Sequence, residues 1–416
     1  MARRALILVE GNIKYTTGNG LLYIQEAQRR GLHAITLAAD PAQYSYLDAE
    51  GAEAIAVDTG NLDALIRECY RLGATHDIAG ITSVNESVYA TVGELCRFFE
   101  LPGPNPASIE RCCDKFIQRE LLAKAGVPIP AYRLATNATE VERAAGEIGV
   151  PVVLKPAVGI GSSGVRLCHN IDELAEHTNH LLGGKHPSSP RILVEEFAQG
   201  PHYWSEIMGD EVIGIGTAEF GPPPYFVYRE FTFPAPLTDE EYRRMADVSL
   251  SSLRALGLGW GPTNIELRWT KRGPVVIEVN PRLSGKLGIR VVEGASGIDL
   301  VREHIKLVIG DEGNLHRTRS QTAVARLLLS DRDGTLDRID GDGLAAAVPG
   351  VVEVKFLVEP KTPIIRKGDC RDIIGYLIAA SPTLAQTKAI LEQAAHLIDW
   401  SIIPSRLAEQ GRSANP

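Results

Sequence analysis

From Ala5 to Phe99 the chain alternates short apolar runs with helical patterns, and this alternation restricts the fold more than any other feature. Ala5–Val9, His33–Ala38, Ala54–Val57 and Ile78–Thr82 read as buried strands. Leu21–Arg30, Leu62–Leu72 and Val88–Phe99 carry helical spacing between and after them. Strands separated by helices cannot pair as hairpins, so the pattern predicts an open parallel sheet with helices on both faces, an α/β unit of Rossmann-like type. Gly18-Asn-Gly20 follows the first strand but lacks a third glycine in register, so it is not a dinucleotide fingerprint.

At 416 residues, several domains are expected. Leu101-Pro-Gly-Pro-Asn-Pro-Ala107 breaks the chain after the first unit, and a helix is expected over 108–125. The divisions read as 1–110 (N-terminal sheet domain), 111–200 (linker helix and small α+β subdomain), 201–310 (larger subdomain), 311–405 (C-terminal α+β module) and 406–416 (tail). Loops are expected at His186–Pro190 and Gly221–Pro224. A net charge of −9 without a basic stripe argues against nucleic acid or an anionic membrane as partner. The opening apolar run meets Glu10 at once, too short for a signal-peptide core, and no segment nears the roughly 18 apolar residues of a membrane span. Six cysteines without paired or zinc spacing predict reduced thiols and a cytoplasmic protein.

Chemistry concentrates between Glu266 and Arg282, which reads as a β-hairpin with its turn at Thr270–Pro274. Period two puts Glu278, Asn280 and Arg282 on one face of the second strand, and Glu266 comes alongside on the first. Two carboxylates and a carboxamide are hard oxygen ligands suited to Mg²⁺, and the arginine beside them can fork an anion. Four further elements precede the hairpin. They are Lys115 in Asp-Lys-Phe, Lys155 ending Val-Val-Leu-Lys-Pro, the turn Gly159-Ile-Gly-Ser-Ser-Gly164, and Glu195-Glu196-Phe-Ala198. Singly, each reads as well as a surface lysine, a hairpin or a charged strand end. The turn can present backbone N–H groups to phosphate but lacks a Walker ending.

In this order, Lys115, Lys155, glycine turn, Glu195-Glu196, Glu266 and Glu278-x-Asn280-x-Arg282 resemble the ATP-grasp superfamily, in the branch holding biotin carboxylase, glycinamide ribonucleotide synthetase and the L-amino acid ligases. The resemblance runs over residues 1 to about 400. It implies ATP and Mg²⁺ (with Mn²⁺ able to substitute) and an acyl-phosphate route from a carboxylate to an amide, with family members often dimeric. Lys115 and Lys155 match the phosphate lysines, and Gly159, Gly161, Ser162, Ser163 and Gly164 the lid over the phosphates. Glu195, Glu196 and Ala198 match the adenine-holding hinge. Glu266, Glu278 and Asn280 match the metal ligands, and Arg282 the arginine that steadies the transferring phosphoryl group, giving Lys155 and Arg282 catalytic roles. The usual Gly-x-Glu of the ribose contact is replaced by Gly200-Pro-His202, leaving Glu206 and His202 as candidates.

After Arg282 the text Leu-Ser-Gly-Lys286-Leu-Gly-Ile-Arg290 resembles amino acid and dipeptide ligases of the dapdiamide and bacilysin types, and biotin carboxylase's segment is not recognisable. Lys286 and Arg290 then hold a substrate carboxylate, or are surface charge. Tyr225 and Arg229, in the aromatic loop after Pro222, would shape the same cavity, and Arg366 and Lys367 could approach it. The resemblance thus implies small-molecule carboxylate and amine partners. A nucleotide-precursor synthetase and a non-catalytic nucleotide-binding regulator are the alternatives. The acidic run Asp331–Gly343 lacks the glycine and glutamate of a calcium loop and reads as two turns.

Overall fold

The computed structural model describes residues 2–11, 19–44, 46–47, 51–159, 161–183 and 191–404. Gly18, the whole of the expected His186–Pro190 loop and the tail lie outside them. The first domain is the expected parallel sheet, in the order Glu53–Ala56, His33–Ala38, Arg3–Val9, His76–Thr82. The central strands Arg3–Val9 and His33–Ala38 are mostly buried while the edge strand Glu53–Ala56 is largely exposed, and helices Gly20–Arg29, Leu62–Gly73 and Glu86–Phe98 cover the sheet. The chain order reverses between Arg3–Val9 and His76–Thr82, so the carboxyl ends of those two strands open on a crevice. There Asn85 caps the helix Glu86–Phe98 by accepting from the Ser87 N–H, which starts Glu86 at the crevice.

The expected single helix over 108–125 is two helices, Pro106–Cys113 and Lys115–Lys124. Asp114 makes the break. It sits in extended backbone, and its carboxylate accepts from the N–H groups of Phe116 and Ile117. An aspartate N-cap outweighs continuous periodicity at that point. The small subdomain is an antiparallel sheet, Tyr132–Ala135, Ile192–Glu196, Val152–Pro156, Arg166–Cys168, backed by helices Ala138–Ile148 and Ile171–Gly183.

The division at 310/311 does not separate two sheets. One antiparallel sheet of eight strands runs Gly273–Asn280, Pro262–Thr270, His202–Met208, Glu211–Phe220, Tyr228–Phe233, Thr322–Leu329, Ile373–Ser381, Val351–Phe356. Tyr228–Phe233 pairs directly with Thr322–Leu329. The C-terminal residues therefore extend the sheet that carries the hairpin. A second small sheet and helix Leu384–Ala395 complete them. The carboxylates of Asp331, Asp333, Asp337 and Asp340 each pair with an arginine or lysine; the run is not two turns, because Gly334–Asp340 pairs as a strand of the small sheet. Among the described residues no helix is long and apolar enough to cross a membrane.

Candidate active site

The hairpin forms from Pro262–Thr270 and Gly273–Asn280, with Glu266 directly opposite Glu278 and Asn264 opposite Asn280; the second strand ends at Asn280, so Arg282, expected on it, lies in the bend beyond. It is the edge of the large sheet, and Gln118 closes that edge. Its carboxamide donates to the Val279 carbonyl at 2.8 Å and accepts from the Val279 N–H at 3.0 Å, as a neighbouring strand would. Helix Lys115–Lys124 is thereby fixed against the strand that carries Glu278. Gly200, at φ +150°, brings the chain so close that an added Cβ would lie 1.9 Å from the Trp269 carbonyl oxygen. Only glycine fits where the small subdomain meets the hairpin.

Four cations and four carboxylates, Glu266 among them, converge here from four parts of the chain. The Lys115 amine lies 2.7 Å from Glu278 Oε1 and donates to the Gly159 carbonyl at 2.6 Å. The Lys155 amine lies 2.6 Å from Glu195 Oε2, while Arg119 Nε donates to Glu195 Oε1 at 2.5 Å. Arg119, fully buried, also donates to the Ile277 carbonyl, at the register shift of the hairpin. Arg282 Nε donates to Glu86 Oε2 at 3.1 Å, across the crevice of the first domain.

Burial drives the electrostatics. Buried away from water, and facing Glu278, the Glu266 carboxyl is raised to about 7. Burial also pushes Glu278 up, but Lys115, Lys155 and Arg282 outweigh it and hold that carboxyl below its ordinary value. Burial lowers the Lys155 amine, with Glu195 only partly offsetting it. Two opposed carboxylates, one without a cation partner among the described residues, together with the buried Asn280 carboxamide, whose oxygen accepts only a long 3.5 Å bond from Arg282, form a hard-oxygen donor set that fits Mg²⁺.

The glycine turn reaches this centre. Gly161 (φ +64°), Ser162 (φ +61°) and Gly164 (φ +72°) are left-handed, so the turn demands residues that tolerate that backbone. The Gly164 carbonyl lies 2.9 Å from His177 Nε2, and a Cβ on Gly161 would come 2.9 Å from Cys370 Sγ. The turn rests between the small subdomain and the C-terminal residues, with Ser162 and Ser163 half-buried in it.

In the hinge, both Glu195 oxygens are engaged by Lys155 and Arg119. The Glu196 carboxylate turns away to Arg272, at 2.9 Å, and to the Ala131 N–H. The Ala198 N–H has no partner among the described residues.

Glu206, Arg229, Tyr225 and Arg366 either have partners in the protein or are exposed. Both Glu206 oxygens are already engaged by protein donors. The residue is fully enclosed, accepting from the Ser284 N–H at 3.1 Å and the Asn264 carboxamide at 3.4 Å, so it ties down the turn after Arg282. Arg229 is exposed, because the strand pairs Phe220 with Tyr228 and Glu219 with Glu230, leaving Arg229 as the extra residue of a bulge. Tyr225 lies against Arg166, in the strand Arg166–Cys168, and Gly368. Arg366 is held by Asp333 at the surface. Lys286 and Arg290 share one helix face and both approach Glu353, at 3.7 and 3.5 Å, while Tyr376 donates to the same carboxylate.

Gln118, Arg119 and Glu86 are not singled out by the sequence, and Tyr228 is legible there only as part of the aromatic loop after Pro222. Tyr228 is raised well above the usual phenol range by burial and by the nearby Glu266 and Glu278. A signal did exist for two of them. Lys115, Gln118, Arg119 and Leu122 stand at i, i+3, i+4 and i+7, the core-facing stripe of their helix, yet three are polar.

Glu206 gives a pH-dependent test. Burial raises its carboxyl from 4.5 to about 7, so the folded chain holds a proton that the unfolded chain has lost. Its contribution to stability is therefore most favourable below 4.5, falls as pH rises, and stays lost above 7. Glu206→Gln keeps the acceptor for Ser284 and removes this penalty. Denaturant unfolding at pH 5 and 8 should show the variant gaining about 3 kcal/mol on wild type at the higher pH. An equal difference at both values would show that Glu206 does not titrate in that window.

Known proteins agree with this architecture. Residues 114–315 match the family described as carbamoyl-phosphate synthase L chain, ATP binding domain, and residues 326–402 match L-amino acid ligase C-terminal domain 2. An uncharacterized protein of Sinorhizobium fredii, y4rH, is 60% identical over 97% of this chain and 84% of its own length. The carbamoyl phosphate synthase large chain of Archaeoglobus fulgidus is 30% identical over 56% of this chain, which spans only 22% of that relative. An L-amino acid ligase from Bacillus licheniformis superposes with a TM-score of 0.81 at 19% identity, covering 98% of this chain and 100% of its own, so it shares the fold. The chain belongs to the ATP-grasp family, in its carboxylate–amine ligase branch.

Proposed function

We propose that this protein is an ADP-forming ligase that activates a small carboxylic acid, in our reading an amino acid, and joins it to an amine. The observation that carries the reading is the opposition of Glu266 and Glu278 within reach of Lys115, Lys155 and Arg282. The match to an L-amino acid ligase C-terminal domain supports the choice of branch.

A carboxylate is a poor acyl donor because its leaving group would be oxide. In the proposed reaction its oxygen attacks the γ-phosphorus of ATP, the bond to the β-bridging oxygen breaks, and ADP leaves. The amine nitrogen then attacks the acyl carbon, the acyl–oxygen bond breaks, phosphate leaves, and the amine gives up a proton. Little covalent chemistry falls to the protein, so its work is alignment and charge neutralisation. Lys115 and Lys155 face the phosphates, exchanging their present partners Glu278 and Glu195 for them, and Arg282 holds the transferring group. Glu266, Glu278 and Asn280 hold the divalent ion, which when bound neutralises phosphate charge. Gly159 and Gly161–Gly164 close over the phosphates and exclude water, which would hydrolyse the acyl phosphate. The Ala198 N–H, with the Glu195–Glu196 strand end, receives adenine. Lys286 and Arg290, one helix beyond Arg282, stand at the acceptor end, where a substrate carboxylate competes with Glu353 for them.

Hydroxylamine tests the intermediate without knowledge of the amine. With ATP, Mg²⁺ and pooled amino acids and small acids, the reading predicts a hydroxamate formed in step with ADP. ATP binding with no hydroxamate and no ADP from any pool would support a regulator instead.

A further inference from the structure

His202 opens the strand His202–Met208, next to the strand that carries Glu266. The imidazole is almost wholly buried, 4% exposed, and its Nε2 has no hydrogen-bond partner. That atom faces Glu266 Oε2 at 3.8 Å, too far for a hydrogen bond. Phe220 and Tyr228 pack edge-on against the ring, with centroids at 5.0 and 6.1 Å, and fix its plane. The cross-strand neighbour Arg268 is turned onto the rings of Phe197, Phe220 and Phe226 and donates to the Gly200 carbonyl, so it does not fill the gap.

A buried nitrogen left without a partner is costly unless something binds it. Two donor atoms on one octahedral ion lie about 3 Å apart when adjacent and about 4 Å when opposite. The separation from Glu266 falls between these limits, so a small adjustment lets both atoms meet one ion.

We propose that His202 Nε2 is a further ligand of the divalent ion held by Glu266, and that this nitrogen shifts the site's preference from Mg²⁺ toward Mn²⁺. Mg²⁺ favours oxygen donors, whereas an imidazole strengthens binding of first-row transition ions. The proposal rests on the reading of this centre as an ATP and metal site, and the experiment separates the two.

Pulsed electron paramagnetic resonance on the whole protein loaded with Mn²⁺ and ADP reads both. Phosphorus coupling reports that the ion touches the nucleotide, and nitrogen coupling reports an imidazole ligand. We expect both in wild type, with the nitrogen signal changing on incorporation of ¹⁵N-histidine, a test that needs no variant. His202→Asn should lose nitrogen coupling, keep phosphorus coupling, and lower the ratio of Mn²⁺ to Mg²⁺ affinity by about tenfold. Phosphorus coupling without nitrogen coupling in wild type would overturn the His202 assignment and leave the nucleotide site standing. A loss of discrimination between ATP and 2′-deoxy-ATP in His202→Asn, with the Mn²⁺ spectrum unchanged, would assign His202 to the ribose and overturn the proposal. Absence of phosphorus coupling would overturn the underlying metal–nucleotide reading as well.

Discussion

Glu278→Gln should lower ADP formation by about 10³-fold or more while leaving the unfolding midpoint within a small interval of wild type. The carboxylate is held below its ordinary pKa by Lys115, Lys155 and Arg282, against the burial that would raise it, so it is charged at neutral pH. Gln is isosteric and keeps an acceptor for Lys115, now at 2.7 Å, so the fold has little to lose. The site, however, loses a full negative charge opposite a partner already raised to about 7. A divalent ion is then left with one strong carboxylate where it had two. Several kcal/mol of charge stabilisation in the transition state depend on that ion, and each 1.36 kcal/mol is tenfold in rate. Circular dichroism and ADP release on the same sample check the prediction. Wild-type turnover in a folded variant would remove Glu278 from the metal set.

Arg119→Ala should cost stability rather than chemistry first. Its guanidinium is fully buried, binds Glu195, and caps the Ile277 carbonyl at the hairpin's register shift. Removing it leaves a buried carboxylate with Lys155 alone and a buried carbonyl without a donor. Breaking a buried ionic group in this way costs about 3–5 kcal/mol, readable as a fall in denaturant midpoint. Replacing Arg119, Glu195 and Lys155 together by apolar residues should recover much of that stability, since no uncompensated charge remains, but abolish ATP binding. A single variant as stable as wild type would show that the Arg119–Glu195 contact does not form in solution.

How far the sequence carries depends on the range of the interaction. The hairpin was legible because period two is local: once Glu266–Arg282 is a hairpin, Glu266 and Glu278 must share a face, and they do. The parallel sheet was legible because strand–helix alternation leaves few topologies. The break at Asp114 was missed although local, because helical spacing continues across it and only the aspartate's side chain decides. What failed was non-local. No residue in Thr322–Leu329 announces that it pairs with Tyr228–Phe233, so the continuation of the large sheet into the C-terminal residues is not legible. Glu206 has the spacing of a site residue, yet Ser284 and Asn264 enclose it from elsewhere in the chain. The Arg119–Glu195–Lys155 cluster joins a helix to two strands of another sheet, a convergence that appears only after folding.

The central claim is that two organic partners meet in this site at the expense of ATP. Phosphate release from ATP and Mg²⁺, measured across amino acids and small carboxylic acids singly and in every pair, tests it directly. The account predicts release that depends on one specific pair, falls sharply when either member is omitted, and is lost in Glu278→Gln. Silence across every pair, with ATP binding intact, would contradict it.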